Sequence, residues 1–381
     1  MTDNAHPMLV IPIQIGPITL NHRVVMAPMT RQRSEQPGNI PGALQLEYYS
    51  QRASVGGLII AEGTAVSALG HGGYGSPGWW TDEQVAGWAH ITEAVHAKGA
   101  FIFGQLWHAG RLAHLSSTGQ APVAPSVDPE FWSNPPGPAS MVSTVDGMQA
   151  PSPHRELQAD EIEGVIDDFV TAAEHAKAAG FDGIELHGAY GYLLDQFLQD
   201  GTNKRTDRYG GSFENRFRLL AEVLEATLSV WGPNRVAVRL APGSTFHGIS
   251  DSDPDALFGY VAERLNDFPL AYLHVIESRI DGFTLIDEDR GAATTHNLRK
   301  RYRGVLMSTG GFDPDTAEAT LAGGDADLIG FARHFISNPD LPSRIRRNYP
   351  LSGYDRDTFY TFDARGYTDY PAYDDAGTRH A

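Results

Sequence analysis

The chain has no cysteine among its 381 residues. That rules out a disulfide framework, a thiolate metal site and a cysteine nucleophile. Basic residues are also scarce, with 29 Lys and Arg against 47 Asp and Glu, a formal charge of −18. Nucleic acid and anionic membrane surfaces both demand basic patches, so neither is an expected partner. No apolar run approaches the roughly eighteen residues that span a bilayer. The polar start, Met1 to Pro7, does not read as a signal peptide, and a cytoplasmic location is the default expectation. There is no P-loop and no His-Glu-x-x-His, and the histidines do not pair with carboxylates at metal-ligand spacing, so no metal is expected.

What is present is a repeated alternation. Short apolar runs occur at His22–Met26, Leu58–Ala61, Phe101–Leu106, Phe181–Leu186, Val236–Leu240, Tyr272–Ile276, Val305–Ser308 and Asp327–Phe331. Helix-period segments lie between most of them: Thr81–Lys98 with Thr81 as N-cap, Ala159–Ala179, Ser212–Trp231 and Pro254–Asn266. Near-continuous apolar strands alternating with helices specify a parallel sheet covered on both faces. Eight such units predict an α/β chain folded as a single (β/α)8 TIM barrel over residues 1–381. Leu9–Ile13 and Ile18–Leu20, broken by Gly16-Pro17, read as an N-terminal β-hairpin plugging the barrel.

Two segments depart from the alternation. Ser126 to Arg155 is rich in Pro, Ser and Gly and carries a candidate short strand at Met141–Val145. It follows strand three on the face where barrel active sites are built, so residues 126–155 read as a capping insertion and an active-site lid. From Pro350 the chain is aromatic and aspartate-rich and is expected to fold back over the barrel, with residues 372–381 as a flexible tail.

Chemistry concentrates at the strand ends. In Glu185-Leu186-His187-Gly188-Ala189-Tyr190-Gly191-Tyr192, an apolar strand stops at a histidine and then offers two tyrosines. That is how a barrel strand ends when its tip handles protons and hydrogen bonds. Gly70-His71-Gly72-Gly73-Tyr74-Gly75 matches a dinucleotide fingerprint in letters, but it opens onto no helix and reads as a loop. Ser308-Thr309-Gly310-Gly311-Phe312 follows strand seven, and Gly330-Phe331-Ala332-Arg333 follows strand eight before a short helix. Taken singly each is ordinary turn glycine; together, after those two strands, they suit the phosphate of a cofactor. Pro28-Met29-Thr30, Gly63-Thr64, Gln105-Leu106-Trp107-His108 and Arg239 add groups that suit a flavin ring. A buried arginine stabilises the negative charge of the reduced ring, and a glutamine can pair with its pyrimidine edge.

These segments resemble the Old Yellow Enzyme family, classical branch. The resemblance is carried by Val24 to Arg31, Thr81 to Val85, Gln105 to His108, Ala121 to Ser126, Arg205 to Arg216, Phe335 to Leu341 and Gly366 to Pro371, in order. It runs from about Leu9 to Pro371 and implies an FMN-dependent ene-reductase that uses NADPH or NADH to reduce α,β-unsaturated carbonyl or similarly activated alkenes. It implies FMN contacts from Pro28, Met29, Thr30, Gly63, Gln105, Arg239, Gly310, Gly311, Ala332 and Arg333, with Ala332 standing where the family usually has glycine. His187 matches the first of two donors to the substrate carbonyl, and Tyr192 matches the proton donor. Trp107 shapes the substrate pocket and Tyr360 is expected to line it. The Arg205 to Arg216 segment reads as structural, with Ser212 capping a helix. A monomer or homodimer is expected.

One position departs. Three residues after the first histidine the family has asparagine or histidine, and this chain has Tyr190. Three readings stay open: a remodelled pocket with His187 as the one carbonyl anchor, a tyrosine hydroxyl replacing the missing donor, or a ring that turns away and packs. Function keeps alternatives as well. An FMN barrel could carry out a redox-neutral isomerisation or an oxidation. A non-flavin hydrolase or lyase could use His187 with Glu185 and Asp195, and a flavin binder without catalysis is the plainest case.

Overall fold

Eight parallel strands close on themselves in chain order: β1 (Val24–Met26), β2 (Leu58–Ala65), β3 (Phe101–Trp107), β4 (Gly183–Gly188), β5 (Val236–Leu240), β6 (Leu273–Ile276), β7 (Leu306–Thr309) and β8 (Leu328–Phe331), with β8 paired to β1. The computed structural model describes residues 5–282, 284–285 and 295–373. Each strand falls on one of the eight apolar runs, because a strand covered on both faces has no polar side to show. Helices α1 (Ala43–Arg52), α2 (Asp82–His96), α3 (Ile162–Ala178), α4 (Phe213–Trp231), α5 (Pro254–Arg264), α6 (Thr295–Arg299) and α7 (Pro314–Ala322) follow β1 to β7 in turn. After β8 come Arg333–Ser337 and Leu341–Arg347. Among the described residues no helix is long and apolar enough to cross a membrane.

Strand side chains alternate between faces, and here that alternation separates two cores. Val24, Met26, Ile59, Ile184, Leu186, Val238 and Val275 point outward and pack with the helices. Val25, Leu58, Ile60, Phe103, Ala237, Tyr272, Met307 and Leu328 point inward as a separate cluster. The N-terminal hairpin, Ile13–Ile15 against Ile18–Leu20, adds Ile15, Ile18 and Leu20 to that inner cluster and so plugs the barrel. Gly16 turns it at φ +53°, a conformation that suits glycine.

The first arm of the hairpin is shorter than the sequence predicts. Met8–Val10 forms a 3₁₀ turn instead of strand, because the Glu318 carboxylate accepts from Met8 N at 2.8 Å and Leu9 N at 3.1 Å. The helix starts are those the sequence signals. Thr81 Oγ1 accepts from Gln84 N at 3.3 Å while Gln84 Oε1 accepts from Thr81 N at 3.1 Å, a reciprocal cap of α2. Ser212 caps α4 through Asn215 N. Helix α3 begins three residues later than expected, at Ile162, since Glu161 is drawn off by Arg155 and by Gln158 N.

Residues 126–155 hold a short helix (Pro129–Ser133), a 3₁₀ turn (Pro138–Ser140) and a hairpin of Val142–Thr144 with Gly147–Gln149. The hairpin arm coincides with the candidate strand at Met141–Val145 and is tied to the loop after β2 by Tyr74 N donating to Ser143 O at 2.8 Å. The C-terminal segment does fold back over the barrel. Arg31 donates to the carbonyls of Phe359 (3.0 Å) and Gly366 (2.8 Å), Arg33 to those of Phe359 and Thr358 (2.7 and 2.9 Å), and Arg52 to that of Tyr367 (3.1 Å). Of the expected tail, residues 374–381 lie outside the described residues.

Candidate active site

The strand register sets the floor of the site. Gly63 of β2 pairs with Gln105 of β3, which pairs with Glu185 of β4. One step higher, His187 of β4 pairs with Arg239 of β5, which pairs with His274 of β6. Inward positions two residues apart along each strand thus change from apolar to polar. Above them lies a cavity of about 550 Å³, inside the roughly 300–1,000 Å³ usual for small-molecule sites.

Of the residues singled out in the sequence, Pro28, Met29, Thr30, Gln105, His187, Tyr190, Tyr192, Arg239, Gly310, Gly311, Ala332, Arg333 and Tyr360 all line this cavity. Gly63 and Trp107 stand just behind the lining. A methyl group on Gly63 would sit 3.4 Å from both Gln105 Oε1 and Thr30 Oγ1. Trp107 meets the Tyr192 ring edge-on, with centroids 5.1 Å apart. The loop Gly70 to Gly75 is a loop as read, and its glycines admit Trp107, since a methyl group on Gly72 would come within 2.4 Å of the indole.

His187 is 6% exposed, and its Nδ1 has no hydrogen-bond partner among the described residues. Burial first, and then the Arg239 guanidinium, hold its imidazole well below the ordinary value, so it is neutral. The Tyr192 ring stands perpendicular to it, with centroids 4.8 Å apart. Burial pushes the Tyr192 phenol up to about 12, with Arg239 working against the rise. The phenol therefore keeps its proton across the working range.

Tyr190 occupies the left-handed region at φ +58°. Its ring lies edge-on to Phe246 at 5.3 Å and beneath the Arg239 guanidinium at 5.9 Å, while its carbonyl is 2.8 Å from His247 Nδ1. The ring thus both faces the cavity and packs.

FMN fits these groups. Arg239 Nε is buried without a partner among the described residues, as a guanidinium meant for a ligand would be. The turn after β7 takes positive φ at both Gly310 (+118°) and Gly311 (+68°), which frees backbone N–H groups for an anion. Arg333 lies at the same end, its guanidinium 3.3 Å from the Tyr354 hydroxyl.

The hydrolase arrangement does not assemble. Both Glu185 oxygens are engaged elsewhere, Oε1 by Gln105 Nε2 and Oε2 by His274 Nδ1, each at 2.8 Å. Asp195 is turned toward Gly191 N (2.8 Å) and Gln199 Nε2 (2.7 Å). Sequence reasoning missed Phe246, Tyr354, Arg356 and Phe359, and gave no role to Arg31 and Phe312 inside the segments it singled out, yet all six line the cavity. Phe246 could have been found from its place in the loop after β5, on the same face as Tyr192. The others carry no periodic signal.

Residues 8–352 match the family described as NADH:flavin oxidoreductase / NADH oxidase. Among curated relatives, 12-oxophytodienoate reductase 1 of Oryza sativa subsp. japonica is 44% identical over 370 residues, covering 95% of this chain and 92% of that one. The 12-oxophytodienoate reductase 2 of Arabidopsis thaliana is 42% identical, covering 96% and 95%. Among solved structures, morphinone reductase in complex with tetrahydroNAD superposes with a TM-score of 0.88 at 43% identity, over 98% of this chain and all (100%) of that one. The old yellow enzyme homologue from Zymomonas mobilis gives 0.89 at 41% identity, over 96% and 99%.

Proposed function

The chain belongs to the NADH:flavin oxidoreductase / NADH oxidase family and is an oxidoreductase that uses FMN and NAD(P)H to reduce activated C=C bonds; on that premise we propose that His187 anchors the substrate carbonyl, Tyr192 supplies the proton, and Tyr190 shapes the pocket. The observation that carries this reading is the perpendicular His187–Tyr192 pair over the cavity, with His187 Nδ1 unpartnered among the described residues.

When bound, FMN supplies the hydride that goes to the β-carbon of the alkene. Pro28, Met29, Thr30, Gly63, Gln105, Arg239, Gly310, Gly311, Ala332 and Arg333 are the residues we assign to hold it. As hydride arrives, charge gathers on the carbonyl oxygen, and a neutral His187 donates to it. A preorganised donor of this kind lowers the barrier by about 2.7–4 kcal/mol. Tyr192, protonated because its phenol sits at about 12, gives its proton to the α-carbon. Tyr190 walls the pocket with Phe246 instead of presenting a side-chain amide or imidazole, leaving His187 as the one anchor. Trp107 orients Tyr192 from behind, and Tyr360 lines the same cavity.

Residues 126–155 act as the cover. Ala139 O lies 3.0 Å from His247 Nε2, so the insertion reaches the same histidine that holds the Tyr190 carbonyl. We further propose a cytoplasmic location, which fractionation tests, and a monomer or homodimer, which light scattering tests.

Tyr192→Phe tests the central assignment in anaerobic stopped flow. Bleaching of the flavin by NADPH stays at the wild-type rate, whereas reoxidation by cyclohexenone slows roughly a hundredfold. Equal slowing of both halves sinks the proton-donor role.

A further inference from the structure

Beneath the cavity lies a polar group that the reaction as described does not use. Glu185 is fully buried inside the barrel, one step below His187 on the same strand. Its carboxylate receives Gln105 Nε2 on one oxygen and His274 Nδ1 on the other, each at 2.8 Å. A buried carboxylate is costly unless its lone pairs are met, and here two donors meet them. Burial alone would raise its pKa, yet His274, Arg239 and Gln105 bring the carboxyl below its ordinary value, and burial lowers the His274 imidazole, so the 2.8 Å bond joins an acceptor carboxylate to a neutral donor ring.

The consequence falls on Gln105. A carboxamide can stand in two orientations of nearly equal shape, and only its partners decide between them. An ionised Glu185 accepts only, so it takes the Nε2 side of Gln105. That leaves Gln105 Oε1 and its second N–H for the cavity that Gln105 lines. An acceptor beside a donor complements the pyrimidine edge of a flavin, where one N–H lies beside a carbonyl oxygen. A flipped amide would set donor against donor.

We propose that Glu185 is a positioning residue for the cofactor, fixing Gln105 in the orientation that reads the flavin pyrimidine and adding a fixed negative charge beneath it. This rests on the assignment of Gln105 to FMN. The charge opposes the additional negative charge of the reduced cofactor, so it holds the flavin potential down, against Arg239, which pulls it up.

The test uses holoenzyme. In Glu185→Gln one acceptor oxygen is lost and the charge with it. FMN then leaves on dilution about tenfold faster, and the potential measured by spectroelectrochemistry moves to a more positive value. Glu185→Asp keeps the charge but withdraws its reach, so FMN leaves faster while the potential stays nearer that of the wild type. Wild-type FMN retention in Glu185→Gln overturns the proposal, whether or not its melting temperature falls, and an unchanged potential overturns the role of its charge. If Glu185→Gln does not fold, wild-type FMN retention in Glu185→Asp overturns it. Gln105→Leu separates the two levels. If it retains FMN like the wild type, the Gln105 assignment itself fails; if it loses FMN while Glu185→Gln does not, only the role of Glu185 falls.

Discussion

The two ends of the barrel are built from the same strands and do opposite things. At the N-terminal end Phe103, Ala237, Tyr272 and Met307 meet the hairpin residues Ile15, Ile18 and Leu20 in a closed apolar cluster. Two residues further along the same strands and the same face stand Gln105, Arg239, His274 and Thr309. At the closed end the contacts are apolar, and the Tyr272 hydroxyl is the one polar side-chain atom of that cluster left without a partner among the described residues. At the open end His187 Nδ1, Arg239 Nε and Trp107 Nε1 have no partner among the described residues. One end stores stability and the other holds polar groups ready for ligands, and the change takes about 7 Å of strand.

That division makes its boldest claim at the closed end. Phe103→Ala should cost about 3–5 kcal/mol of stability in urea denaturation while leaving FMN retention of the folded protein unchanged. A parallel loss of FMN would show that the two ends are not separable. At the open end His187→Ala should lower kcat/KM on cyclohexenone by roughly a hundredfold to a thousandfold, with a melting temperature near that of the wild type. A large drop in melting temperature would put His187 on the structural side of the divide.

A third prediction uses pH. Burial, with Asp251 nearby, raises Asp195 from 3.8 to about 7, even though Gly191 N and Gln199 favour its charged form. The folded state therefore holds this proton more tightly than the unfolded chain does. Its contribution to stability is complete below 3.8 and is lost as pH rises through about 7. Asp195→Asn should raise the melting temperature more at pH 8 than at pH 5, and an equal gain at both would contradict the assignment. The smallest effect concerns Tyr190. Asparagine tolerates φ +58° better than tyrosine and restores a short donor, so Tyr190→Asn should gain a few tenths of a kcal/mol and raise activity on cyclohexenone. Activity no better than wild type would mean that the tyrosine wall does not limit this substrate.

The barrel was legible because each strand is buried on both sides, so its apolar run survives in the sequence without help from distant residues. Gly310 and Gly311 were legible because a turn with positive φ narrows the choice of residue. Met8 to Val10 was misread because the group that bends it, Glu318, lies 310 positions from Met8. Phe359, Tyr354 and Arg356 reach the cavity from an irregular C-terminal segment, and no periodicity announces such a residue. The orientation of Tyr190 was not legible either, since it depends on Phe246 and Arg239 on another strand and its loop.

The arginine clasp on the C-terminal segment sets an order of events during synthesis. Arg31, Arg33 and Arg52 are made at least 315 residues before the carbonyls they hold, which belong to Thr358, Phe359, Gly366 and Tyr367. Phe359 and Tyr360 also complete the cavity wall. A ribosome-bound chain can thus lay down all eight strands, the last ending at Phe331, and most of its core while its pocket still lacks a side. The pocket wall is complete only once residues 358–367 have left the exit tunnel, and a premature stop codon before Thr358 would yield a barrel with an unfinished site.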